Sequence, residues 1–154
     1  MAFEDWHGYI FTSVSKFLLE QAEADSVECV VEMANHITPE WENAASNVEI
    51  TLDGPRMFPL SEGAYRAELD AFVIVSSLRS DNDIDHVRLV GKISDWLDQC
   101  VLVLDYGDTG TIEIGQMKPD NGEDGISPIN LKPARTDDRL HSTITAAYNG
   151  RFNE

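Results

Sequence analysis

Apolar residues recur at steps of three and four near the start of the chain: Phe3, Trp6, Ile10, Val14, Phe17 and Leu18 fall on one stripe of a helix. This spacing predicts an amphipathic helix over Phe3 to Ala24, closed by Asp25 and Ser26. The period then shortens to two. Val27, Cys29, Val31 and Met33 alternate with Glu28, Val30 and Glu32, which describes a strand with one buried face. A polar loop, Asn35 to Ala45, follows. Val48, Ile50 and Leu52 against Glu49, Thr51 and Asp53 give a second strand, ended by the turn chemistry of Asp53-Gly54-Pro55.

The longest alternation runs from Tyr65 to Leu78, with Tyr65, Ala67, Leu69, Ala71, Val73 and Val75 on one side and Arg66, Glu68 and Asp70 on the other. Midway, Phe72 and Ile74 make the second side apolar too. The far half of this strand is therefore expected to be covered on both faces, by its own chain or by another subunit. Ser80 to Asp85 brings several aspartates to a helix start, where carboxylates accept unpaired N–H groups and meet the positive end of the dipole. Leu89, Ile93, Trp96, Leu97 and Cys100 mark the buried stripe of the helix that follows, Val87 to Gln99. Val101 to Leu104 and Thr111 to Met117 flank Asp105-Tyr106-Gly107-Asp108-Thr109-Gly110 and read as a hairpin. Lys118 to Asp138 is rich in proline and glycine and too long for an ordinary connection, so it is a functional arm or disordered. Leu140, Ser142, Ile144, Ala146 and Tyr148 form a last strand, ended by Asn149-Gly150.

This order describes one α+β domain over residues 1–154: a mainly antiparallel sheet with two helices packed on one face and a long arm or loop, residues 118–138, before the last strand. A length of 154 residues leaves no room for a second full domain. With 42% apolar and 25% charged residues, the composition is that of a folding chain. The charge is not ordinary: 28 acidic against 11 basic side chains give −17, which argues against gripping a phosphate backbone. Cys29 and Cys100 read as reduced core residues. No apolar run reaches the length of a signal or a membrane span, so a soluble protein of a reducing compartment is expected.

Sites of chemistry are sparse. Asp81, Asp83 and Asp85 have the one-three-five spacing of a calcium loop, but His86 stands where that loop needs Gly and Lys92 where it needs Glu, so they read as a helix cap. His7, His36, His86 and His141 are scattered and read as solvent-facing or cap-region residues; neither a metal nor a cofactor is expected. Asp108-Thr109-Gly110 matches the triplet of aspartic proteases, in which two subunits would each supply one Asp. Tyr106 and Gly107 separate the triplet from the preceding strand, and the reading as a hairpin turn leads. No Gly-x-Ser-x-Gly elbow or phosphate loop is present, and an enzyme is not expected.

Surface signals point to partners instead. Arg56-Met57-Phe58-Pro59-Leu60 sets apolar side chains in a loop bounded by Gly54 and Gly63. Residues 1–55 hold 11 acidic side chains and a single basic one, Lys16, while most Arg and Lys lie after residue 78, an asymmetry suited to head-to-tail contact between copies. Taken in order, the N-terminal helix, the strand Tyr65 to Val75, the lead-in Asp83-Ile84-Asp85-His86 with its helix, and the closing strand Ser142 to Phe152 resemble the tail terminator and head-to-tail joining proteins of long-tailed bacteriophages.

That resemblance implies a small, enzymatically inert virion protein that closes into a ring, expected to be a hexamer, and caps the tail tube. Its partners would be the tail tube protein and a head-side connector or adaptor protein. The genome would pass through the lumen unbound, with no membrane involved, and the protein would sit at the virion neck after assembly in the host cytoplasm. Another neck component, such as a head-completion or connector-adaptor protein, is the nearest alternative, and a dimeric acid protease using Asp108 is one of another class. Contact between subunits or with the tube is expected at Arg56, Met57, Phe58, Leu60, Phe72 and Ile74.

Overall fold

The computed structural model describes residues 3–24, 29–78, 84–105, 112–119, 134–135 and 139–153. In chain order its elements are α1 (Phe3–Ala24), β1 (Val30–Met33), α2 (Pro39–Asn43), β2 (Ser46–Ser61), β3 (Ala64–Leu78), α3 (Ile84–Leu97), β4 (Val101–Asp105), β5 (Ile112–Pro119), β6 (Ala134–Arg135) and β7 (Arg139–Asn153). The fold is α+β. The strands follow the order β1-β2-β3-β7-β5-β4, with β6 on the edge of β7. Among the described strands only the β1–β2 pairing is parallel.

The centre of the sheet is the β3–β7 ladder, antiparallel and in unbroken register from Ala64↔Asn153 to Leu78↔Arg139. Side chains alternate across a strand, so Ala67, Leu69, Ala71, Val73 and Val75 share one face with Ile144, Ala146, Tyr148 and Phe152, and all of them are buried. Both long helices contribute to this core: Trp6, Ile10, Val14 and Leu18 from α1, and Val90, Ile93, Trp96 and Leu97 from α3. The Trp6 ring lies 4.8 Å from that of Phe152. The Tyr148 hydroxyl donates to the Leu97 carbonyl at 2.8 Å, satisfying an acceptor at the end of α3. Burial, aided by the charge of Asp98, pushes that hydroxyl's pKa upward and keeps it neutral. His86 is buried, with Nδ1 2.9 Å from the Ser77 hydroxyl and Nε2 2.8 Å from that of Ser142, so it ties α3 to β3 and β7 together.

Several expectations are corrected. The span 35–45 contains α2, capped by Thr38, whose hydroxyl accepts from Trp41 N at 3.3 Å, with Pro39 opening the helix. Five residues are too few to show a helical period. β2 does not end at Asp53-Gly54-Pro55. A register shift between Asp53 and Arg56 absorbs the extra residue, and the strand continues to Ser61. Gly54 has φ +115, and a Cβ there would lie 3.0 Å from the Glu68 carbonyl oxygen, so glycine is needed at this bulge. β7 likewise runs through Asn149-Gly150 to Asn153. Cys100 is exposed because α3 ends at Leu97, and Cys29 is only partly buried. His86 lies in the first turn of α3 but faces inward rather than to solvent. The β4–β5 hairpin pairs as expected; its connection with Asp108, the lead-in Asp81 and Asp83, and most of the arm 118–138 lie outside the described residues.

Gly150 sits at a close approach of β7 to β5: a Cβ there would lie 2.4 Å from the Gln116 carbonyl oxygen and 2.9 Å from Met117 Sδ. Gly150→Ala is expected to lower unfolding free energy by about 1–3 kcal/mol through overpacking. Gly8, exposed in α1 with nothing within 4 Å of its Cβ position, sets the opposite sign: Gly8→Ala raises stability by roughly 0.5–1 kcal/mol. Urea unfolding of the two variants measures both.

Candidate interaction face

Burying one side of the β3–β7 ladder forces the other side outward. On that outer face β3 carries Arg66, Glu68, Asp70, Phe72, Ile74 and Ser76; β2 sets Phe58, Arg56, Asp53, Thr51, Glu49 and Asn47 beside them, and β7 sets Arg151, Asn149, Ala147, Thr145, Thr143 and His141. No single property covers the whole face. One end is partly roofed by α2: the Trp41 indole donates to the Val48 carbonyl at 2.9 Å, and Asn47 Nδ2 donates to the Trp41 carbonyl at 3.0 Å. Arg139 closes this end, its Nε donating to the Ser76 hydroxyl at 2.6 Å and one terminal nitrogen to the Ala44 carbonyl at 3.2 Å. A cavity of about 340 Å³ remains between Trp41, Asn47, Ile74, Ser76, Arg139 and His141.

In the middle, Phe72 and Ile74 stay 36% and 38% exposed on a central strand, flanked by Thr51, Glu49, Thr145 and Thr143. The second covering expected for this half is thus incomplete among the described residues.

The other end is charged. Arg56 lies 2.8 Å from Asp70, 3.6 Å from Asp53 and 4.0 Å from Glu68, and the hydrogen bond and charge of Asp70, foremost, hold the guanidinium in its charged form. Arg66 lies 3.1 Å from Glu68 and stacks over Phe58 at 5.0 Å. Beyond it, a cleft of about 600 Å³ is lined by Arg66, Gln116, Lys118, Asn149, Gly150 and Arg151.

Of the residues expected to make contacts, Arg56, Phe58, Phe72 and Ile74 share this face. Met57 does not; it pairs with Ala67 and packs against the core. Leu60 sits at a register shift between Pro59 and Ser61 and is 47% exposed. Arg66, Lys118 and Arg151 were not anticipated, because only the strand register brings 66, 118 and 151 together. Among the described residues no group of His, Cys, Asp and Glu is placed to hold a metal ion. Burial pushes the Cys29 thiol up to about 11, away from a nucleophilic thiolate at neutral pH. Among the described residues no helix is long and apolar enough to cross a membrane.

No protein-family model matches the chain, and no curated protein matches it. A solved structure that carries only a sequence identifier for a name is similar over 96% of this chain and 96% of its own, with a TM-score of 0.59 and 14% identity. At that identity the likeness speaks for the fold alone.

Among the described residues Arg56 is the cation that bridges Asp53 and Asp70, which stand opposite each other in the β2–β3 register, whereas Glu68 also has Arg66, so Arg56→Ala leaves the two aspartates facing each other. Thermal melts are expected to show a lower Tm than wild type in low salt, with the gap shrinking as salt is added.

Proposed function

We propose that this protein is a structural subunit that closes into a ring at the neck of a tailed bacteriophage, caps the tail tube, stops its growth and joins it to the head connector. The observation that carries the reading is the central strand with two faces: one buried in the core to which both long helices contribute side chains, the other offering Phe72 and Ile74 at the middle of a broad sheet, with Phe58 further along the same face. A monomer gains nothing from large apolar side chains there, whereas a subunit of an assembly buries them against its neighbour. The element order supports the same reading, since the helix, long strand, helix and closing strand that carry the resemblance are all present. Charge fits as well. A collar around a passing genome must let it slide, and a lumen lined with carboxylates repels phosphate within a Debye length of roughly 8 Å in physiological salt.

Native mass measurement and negative-stain imaging, with the protein alone at rising concentration and then with tail-tube protein added, test this directly. Closed rings, sixfold by the resemblance, are expected; a strict monomer under both conditions contradicts the proposal. Capture by tube protein rather than by portal-side protein separates a terminator from another neck component. Phe72→Asp combined with Ile74→Lys is expected to abolish the ring while changing monomer stability little, as read by circular dichroism melts.

A further inference from the structure

The cleft at the charged end of the outer face gathers cations on a chain that has few. Arg66 and Arg151 stand directly opposite each other in the β3–β7 register, and Lys118 pairs with Asn149 on the same face one diagonal step away. Three of the chain's 11 basic side chains therefore share one cleft, although the chain carries −17 overall. Like charges directly across a ladder disfavour the pairing. Glu68 offsets part of this through Arg66, but among the described residues neither Lys118 nor Arg151 has an ion-pair partner. Gln116 and Asn149 add amide groups on the cleft wall. Such a cleft is built to receive carboxylates from outside.

Their source is the chain's own acidic half. The outward side of α1 carries Phe11 and Leu19, each 37% exposed, with Glu20 and Glu23 beside them along a shallow groove that also holds Lys16, 3.9 Å from Glu20, so the groove keeps a net negative charge. Apolar and acidic groups lie together there, as apolar and basic groups do at Phe58, Arg66, Lys118 and Arg151. We propose that the cleft of one copy receives Glu20 and Glu23 of a second copy's α1, with Phe11 and Leu19 laid on the sheet around Phe58. The two surfaces differ, so the contact is heterologous and repeats from copy to copy until rotation closes it. The proposal rests on the ring reading for that closure.

The test is a charge swap read by sedimentation velocity and native mass, with melts confirming that each chain folds. Lys118→Glu with Arg151→Glu is expected to raise the concentration of half assembly about tenfold or more, as is Glu20→Lys with Glu23→Lys, because each sets like charges against each other at the contact. The chain carrying all four substitutions is expected to recover assembly. Rings that form in the cleft variant as in wild type overturn this contact and leave the ring reading standing. Open head-to-tail chains in wild type, lost in either pair variant and restored by the fourfold one, support the contact and overturn the ring. Loss in the cleft variant without loss in the α1 variant, or duplex DNA held by the wild-type cleft, overturns the assignment of the occupant.

Discussion

The unbroken register of β3 against β7 is the constraint from which the rest follows. Side chains in a strand alternate strictly, so placing Leu69, Ala71, Val73 and Val75 in the core leaves Arg66, Glu68, Asp70, Phe72 and Ile74 no freedom but to face the other way. A slip of one residue would exchange the two sets and put Glu68 and Asp70 beneath the helices. The core therefore enforces the outer face. Tyr148 and His86 lock the same register from the helix side, by binding the end of α3 to β7 and its first turn to Ser77 and Ser142.

Charge is organised along that face as well as summed over the chain. Carboxylates dominate the whole, yet Arg56 is held among three of them, and Arg66, Lys118 and Arg151 gather just beyond. A uniformly acidic surface would only repel its copies. One that also carries a cationic cleft repels at most orientations and attracts at a few, which gives association a direction.

Where burial follows a long, simple period, the sequence discloses the structure. The stripe of α1 and the alternation of β3 each persist over several repeats, and both elements lie where their spacing puts them, with bounds within a residue or so. Short or irregular features escape. α2 is little more than one turn. The bulge at Gly54 looks like a strand end because Gly and Pro also terminate strands, and only a partner ladder carries the chain through it. His86 reads as a surface histidine until Ser142, distant in sequence, is brought beside it. The contact face was partly legible: Phe72 and Ile74 break the alternation visibly, and the apolar run at 56–60 is conspicuous. Met57, however, turns inward by the same alternation that turns Phe58 outward. The basic cleft was not legible, because its three cations come from three strands and meet only through register.

A subunit of the phage neck, terminator or adaptor, has one property that a protein free of particles lacks: a fixed address in a particle. Immunogold labelling of tailed particles that contain the protein measures this most directly. Label confined to the junction of head and tail is the predicted result; label along the tail or over the capsid, or protein found only free of particles, would contradict it.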